Sequence, residues 1–369
     1  MPSFSVLPGS EGFFLTPRWS LNRNLFPQIL GRHTKDQHML RFCSVLSALA
    51  AAVIHFALPA QAATFTESFS SNPLQHGWKT HGDAGLFQWD STNQDLRVTW
   101  DSSQPNSYFY YPLETILARS DDFSVAFDLR LADVGVGSDT NKSGTFSIGL
   151  GFLNLDQATQ TNFLRGTGVN SPDLAEFAYF WDSGFGATVF PTFVDTNSTF
   201  SYTGPSDYAI FALAPGDWYH IAMNYTASNQ TLVATVTNLA QTSGVRIVQS
   251  ISTNFTDYRL SAFSVSSYND AGQDPQYAGS VLAHGTVDNL TLTVPAPPVQ
   301  TVGGSFTNGL SQIEFLGQTN WLYTLQRTSD FKSWSDVSAS AAGQAGAIRL
   351  AETNRPPDKA FYRIRASRP

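Results

Sequence analysis

The stretch from Asp217 to Leu239, DWYHIAMNYTASNQTLVATVTNL, constrains this chain more than any other. Two alternating runs flank the polar break Ser228-Asn229-Gln230. In the first, Ile221, Met223 and Tyr225 point one way and His220, Ala222, Asn224 and Thr226 the other. In the second, Leu232, Ala234 and Val236 oppose Val233, Thr235 and Thr237. Period two with β-branched enrichment predicts a β-hairpin with one buried face. The pattern recurs at Phe123, Val125, Phe127, Leu129 and Leu131, at Phe146, Ile148, Leu150 and Phe152, and at Phe263 and Val265. Past Ala63 helical periodicity is nearly absent, and the one candidate helical turn lies near Leu113–Arg119. A dozen or so short strands over about 230 residues predict an all-β, two-sheet antiparallel sandwich.

Upstream, Met39 to Ala62 reads MLRFCSVLSALAAAVIHFALPAQA. A basic start at Arg41, an apolar run and a small-x-small end at Ala60-Gln61-Ala62 follow the grammar of a secretory signal, with cleavage before Ala63. The apolar run Phe42–Leu58 has 17 residues and contains His55, short for a membrane span, so a retained anchor is the weaker alternative. Residues 1–38 are set aside as an upstream segment, with translation expected to start at Met39. The single cysteine, Cys43, falls inside the signal, which excludes disulfides, thiol chemistry and Cys-based zinc in the exported chain.

The exported chain carries 16 basic and 27 acidic residues, net −11, unevenly spread. Residues 63–304 hold 8 and 22, net −14, whereas 305–369 hold 8 and 5, net +3. Such an acidic main domain argues against nucleic acid and anionic lipid as partners. It suits calcium, neutral glycans or simple solubility. The main domain is expected over 63–294. A Pro/Gly linker follows over 295–304, then a small β module over 305–369 with strands near Leu310–Leu316, Trp321–Arg327, Gly346–Ala351 and Ala360–Arg365. The phrase from Trp321 to Trp334, with Phe361-Tyr362-Arg363-Ile364, resembles small fibronectin-III-like C-terminal modules of secreted bacterial proteins.

Four segments of the main domain carry a second resemblance. Phe65-Thr66-Glu67-Ser68-Phe69 with Gly77-Trp78, Phe123 to Phe127, Trp218-Tyr219-His220 with its hairpin, and Val287-Asp288-Asn289-Leu290 are similar, in that order, to strands of the concanavalin-A-like lectin/glucanase and laminin-G-like superfamily. The resemblance implies a jelly-roll sandwich, a location outside a bacterial cell or at its surface, and a glycan or cell-surface polymer as partner. It also implies that the first and last strands lie side by side, where some members hold a structural calcium ion. Glu67 and Asp288 are the residues that match such a site. Asn269, Asp270 and Asp274 form a second oxygen-rich loop.

The resemblance does not choose an activity, because one fold hosts many. Retaining glycosidases of this superfamily use a Glu-x-Asp-x-x-Glu strand, and hydrolysis needs two opposed carboxyls. The exported chain has five glutamates, Glu67, Glu114, Glu176, Glu314 and Glu352, no two within four residues. Asp173-Leu-Ala-Glu176 is the nearest substitute, and its spacing splits the pair between strand faces. A lyase would draw on His76, His81, His220 or His284, with few cations to neutralise a uronate. No G-x-S-x-G turn supports a serine nucleophile. Aromatic density offers ring platforms for sugars, best at Trp181 beside Asp182, with Tyr179 on the same strand face. The leading expectation is a secreted, non-catalytic, glycan-binding or adhesive protein. A polysaccharide-degrading hydrolase or lyase, and a structural envelope protein without a small ligand, remain the alternatives.

Overall fold

The computed structural model describes residues 13–15, 62–135, 141, 147–165, 171–181, 186–241, 243–268, 279–307, 310–354 and 360–369. Its strands are β1 (Phe13–Leu15), β2 (Ala63–Glu67), β3 (Lys79–His81), β4 (Phe87–Asp90), β5 (Asp95–Asp101), β6 (Ser107–Leu117), β7 (Phe123–Gly135) and β8 (Ser147–Leu153). They continue with β9 (Leu174–Phe180), β10 (Thr188–Val194), β11 (Ala209–Ile210), β12 (Trp218–Thr226), β13 (Thr231–Asn238), β14 (Gly244–Ser250), β15 (Leu260–Ser267) and β16 (Leu282–Val294). The last are β17 (Gln300–Thr307), β18 (Leu310–Gly317), β19 (Leu322–Thr328), β20 (Ser335–Asp336), β21 (Ala341–Ala342), β22 (Gly346–Glu352) and β23 (Phe361–Ser367). The chain divides into a main unit, Ala60–Pro297, and a second unit that includes Pro298–Pro369.

The main unit is a two-sheet antiparallel sandwich. One sheet runs β11-β10-β9-β8-β15-β6-β3, the other β14-β13-β12-β7-β16-β5-β4 with β2 also on β16. The hairpin expected at Asp217–Leu239 forms as β12 and β13, pairing Ile221 with Val236 and Met223 with Ala234. Ile221, Met223, Tyr225, Leu232, Ala234 and Val236 all enter the core between the sheets. The alternation in β7 buries Phe123, Val125, Phe127, Leu129 and Leu131 against Leu150, Phe152, Phe177 and Phe263 from the facing sheet. Burial of these faces supplies the main driving force, at about 25 cal/mol per Å² of apolar surface.

The first and last strands are neighbours, as the resemblance implies. The second half of β16 pairs with β2, Leu290 opposite Glu67, while its first half pairs with β5. The handover coincides with a register shift between Asp288 and Thr291, where Asn289 adopts φ 50°. The helical turn expected near Leu113–Arg119 is instead the end of β6. Its side chains alternate, with Thr115 and Leu117 buried, so strand pairing with β15 prevails. The one α-helix among the described residues is a single turn, Leu155–Ala158, capped by the Asn154 side chain.

Loops at one end of the sandwich are tied to buried carboxylates. Asp195 accepts the backbone N–H groups of Asn197, Thr199 and Thr256 and the Thr256 hydroxyl, at 2.7–2.8 Å. Burial alone would raise its pKa, but these hydrogen bonds overcome that and hold it below the ordinary 3.8. Asp257 is likewise lowered, its burial outweighed by Arg259 and by backbone donors. A carboxylate with a depressed folded pKa stabilises the fold above its unfolded value. That stability is present above about pH 4 and is lost as pH falls through the lower folded values. Asp195→Asn should therefore cost about 2 kcal/mol or more at pH 7 in urea unfolding. Its deficit relative to wild type should shrink below about pH 4.

In the second unit, β17-β18-β22 form one sheet, and β1-β23-β19-β20, with β21 on β19, form another. Phe315, Tyr323, Leu325, Ile348, Leu350 and Ile364 are buried. Two expectations change here. Residues 300–304 of the expected linker belong to β17, because they pair with β18. The segment 1–38 is not wholly outside the fold, since Phe13–Leu15 pairs with β23. No helix among the described residues is long and apolar enough to cross a membrane.

Candidate functional site

Strand register builds two rows across the seven-stranded sheet, on the face turned away from the core. One row reads His81, Tyr108, Ser266, Gly149, Ala178, Phe190. The next reads Lys79, Tyr110, Ser264, Gly151, Glu176, Thr192. Rings therefore stand at the sides, and small residues floor the middle.

A buried polar network fills that middle. Arg165 donates to the Glu176 carboxylate at 3.2 Å, with the two side chains 3% and 0% exposed. The Tyr268 hydroxyl donates to the other carboxylate oxygen, and the Arg165 guanidinium lies 4.8 Å from the centre of the Tyr268 ring. Burial pushes the Glu176 carboxyl above its usual range, and Arg165 opposes that shift first among its neighbours. Tyr268 meets Tyr108 edge-on at 5.8 Å, and the Tyr108 hydroxyl donates to the Ala158 carbonyl at 2.9 Å. Gly149 makes room for the network, because a β-carbon there would sit 3.2 Å from the Tyr268 ring and 3.4 Å from Glu176.

Beside the network stands an aromatic cluster. The Phe190 ring lies 5.2 Å from Phe200, 6.1 Å from Tyr208, 6.2 Å from Tyr202 and 6.4 Å from Phe180. Phe200 and Tyr202 are close to parallel, at 7°. Phe180, Phe190, Phe200 and Tyr208 are half-buried, while Tyr202 is 47% exposed. Rings open to water on one side are the kind of surface on which the apolar face of a sugar packs.

The expected site residues fall differently. Alternation along β9 turns Phe177 and Tyr179 toward the core and Ala178 and Phe180 outward. Tyr179 is 2% exposed, and its hydroxyl accepts the Leu213 N–H at 3.2 Å, so it packs the core and presents no platform. Trp181 is half-buried and packs against the same core. Asp182 lies outside the described residues, as do Asn269, Asp270 and Asp274. Glu67 uses both carboxylate oxygens, one on the Phe69 N–H at 2.8 Å and one on the Trp78 indole at 3.1 Å. Asp288 is half-buried; burial raises its pKa, and Asp128, Asp95 and Glu67 add to that. Among the described residues no three His, Cys, Asp or Glu side chains converge as a metal set. His220, from the Trp218-Tyr219-His220 triplet, stands on the outer face of the other sheet, Nδ1 2.7 Å from Asp128. Tyr219 is the buried member.

Sequence reasoning missed Arg165, Tyr268 and the ring cluster. The cluster joins β9, β10 and the loop at Phe200–Tyr208, and only the Phe180 position carried an alternation signal.

No protein-family model matches the sequence, and no curated protein is similar to it. Among solved structures the chain is similar to peanut lectin with a nine-residue peptide, at 14% identity and TM-score 0.42, over 64% of this chain and 99% of that one. It is similar to lectin II from Ulex europaeus, at 14% and 0.42, over 63% and 98%. It is also similar to arcelin-5, a lectin-like defense protein from Phaseolus vulgaris, at 11% and 0.40, over 64% and 99%. The class of the protein follows from its own strand pairing. By that pairing it is an all-β protein, a two-sheet antiparallel sandwich with a small additional β module.

Proposed function

We propose that the chain is an exported bacterial protein, lectin-like and non-catalytic, that binds extracellular glycan on the outer face of its seven-stranded sheet. The observation that carries this reading is the half-open ring cluster around Phe190, with Tyr202 47% exposed. In this reading the main unit is a concanavalin-A-like, laminin-G-like jelly roll. The second unit is a fibronectin-III-like module that holds or spaces it at the cell surface. The signal at Met39–Ala62 accounts for export.

The state of the acids supports binding over hydrolysis. Glu176, the glutamate at the centre of the face, is sealed beneath Arg165 and Tyr268. Glu67 is hydrogen-bonded twice, and Glu114 sits exposed near the far end of β6. None of the three is poised as half of an opposed pair, which either stereochemical route needs.

A glycan array with the full chain, followed by calorimetry on a neutral oligosaccharide hit, tests the proposal. Phe190→Ala and Tyr202→Ala should each weaken binding about three- to tenfold, the loss of one stacked ring, with thermal unfolding little changed for Tyr202→Ala. Release of reducing ends during incubation, or binding indifferent to both substitutions, would refute it.

A further inference from the structure

The outer face of the eight-stranded sheet carries a second row in register: Gln88, Arg97, Thr286, Arg130, Trp218. Above it lies a groove of about 360 Å³ whose polar lining is Gln88, Arg97, Thr99, Arg130, His284 and Thr286. Arg97 and Arg130 occupy the strands on either side of Thr286, so their backbones stand about 10 Å apart with a hydroxyl between them. Gly285 faces the core beneath the groove, where a β-carbon would lie 2.6 Å from the Arg130 carbonyl and 3.0 Å from the Trp100 ring, so glycine lets the strands under the groove approach closely. The register shift between His284 and Gly285 sets His284 at the rim. Its Nδ1 donates to Asp133 at 2.8 Å, which fixes that tautomer and leaves Nε2 for a ligand.

The charges here are unusual for a domain of net −14. Arg119 and Arg259 are tied to carbonyls and Asp257, and Arg165 to Glu176. Arg130 has no carboxylate within ion-pair distance among the described residues. It packs 4.9 Å over the Trp218 ring and reaches Thr286 only at 3.4 Å. Arg97 pairs with Asp90 yet keeps its side chain 59% exposed. Opposing them, the adjoining row holds Asp95, Asp128 and Asp288, of which Asp95 is buried with one oxygen lacking a hydrogen-bond partner.

From this geometry we infer a second binding site, for the anionic group of an acidic polysaccharide, seated over Thr286 between Arg97 and Arg130. A guanidinium presents a planar fork that matches a carboxylate or sulfate bidentately, and Gln88, Thr99, Thr286 and His284 offer partners for sugar hydroxyls. The site is distinct from the ring cluster, which belongs to the other sheet. Its ligand class also differs from the neutral glycans that the overall charge suggests, because the cations are local.

The test is calorimetry of the full chain with oligogalacturonate, a sulfated galactan oligosaccharide, a neutral gluco-oligosaccharide and a single-stranded oligonucleotide. The first two arms distinguish a uronate from a sulfate ester. At least one of them should bind, more weakly as salt rises, with little binding of the oligonucleotide. Arg130→Gln and Arg97→Gln should each weaken it about tenfold. Arg97→Gln, the more exposed, serves as the variant least able to disturb folding. Asp95→Asn, which removes a competing charge, should tighten it, a gain that a merely structural role would not give. Phe190→Ala should leave acidic binding intact, so this site and the ring cluster fail independently. Absence of binding by both acidic probes, indifference to both arginine substitutions, or equal arginine-dependent binding of the oligonucleotide would overturn the inference.

Discussion

Arg165→Met should destabilise the main unit by about 3–5 kcal/mol at neutral pH, the cost of leaving a buried carboxylate without its counter-ion. Glu176 is fully enclosed, and its partners are Arg165, Tyr268 and Ser266. Removing the guanidinium leaves only neutral donors around a charge in a site of low polarity. The loss should depend on pH, with a defined sign. Burial already raises the Glu176 pKa in the folded chain, and without Arg165 it rises further. An acid whose folded pKa exceeds its unfolded value costs stability above the unfolded value, until the folded group ionises. The variant should therefore regain stability relative to wild type as pH falls from about 8 toward 4.5. Arg165→Met/Glu176→Leu should recover most of the deficit, since an apolar pair of similar volume often substitutes for a buried ion pair at little cost. Urea unfolding of the wild type and the two variants at two pH values measures this. A single variant within about 1 kcal/mol of wild type at pH 8 would show that the pair is not the anchor of this face.

The same residues show how far the sequence could be read. The Asp217–Leu239 hairpin and the alternation at Phe123–Leu131 were legible because a strand with one buried face writes its apolar residues at every second position. Phe177 to Trp181 marks the boundary of such reading. The spacing shows that Tyr179 and Trp181 share a face and that Phe180 takes the other, but only packing against β7 and β12 decides which face is inside. With that decided, the outward rings are Phe180 and Phe190, and Tyr179 belongs to the core. Arg165 and Tyr268 were illegible for another reason. They meet Glu176 across 11 and 92 residues of chain, a separation that no periodicity encodes. The arginine groove was hidden by averaging. A net charge of −14 describes the domain, whereas register concentrates two of its eight cations above Thr286. Glu67 and Asp288 were placed on adjoining strands, which do pair, and there Glu67 accepts from the Phe69 amide and the Trp78 indole.

Gly151→Ala should be as damaging as any single change in the chain, costing about 4 kcal/mol or more, or abolishing folding. A β-carbon on Gly151 would lie 2.4 Å from the Ala175 carbonyl oxygen and 2.5 Å from the Glu176 α-carbon. Both are backbone atoms of β9, paired with β8 in the middle of the sheet. No rotamer change relieves such a clash, so relief requires β8 to move off β9. That movement would strain the ladder under Phe152 and Phe177 and displace Glu176 from Arg165. Gly149, two residues earlier on the same face, supplies the internal control. A β-carbon there meets side chains only, at 3.2–3.6 Å, and these can give by a few tenths of an ångström. Gly149→Ala should therefore cost about 1–2 kcal/mol and loosen the Arg165–Glu176–Tyr268 network without breaking the sheet. Soluble yield and thermal unfolding of the two variants side by side check the contrast. If Gly151→Ala folds as well as Gly149→Ala, the close approach of β8 and β9 is not what requires glycine at 151. If the order holds, the small-residue floor beneath the network is set by backbone proximity at one position and by side-chain room at the other.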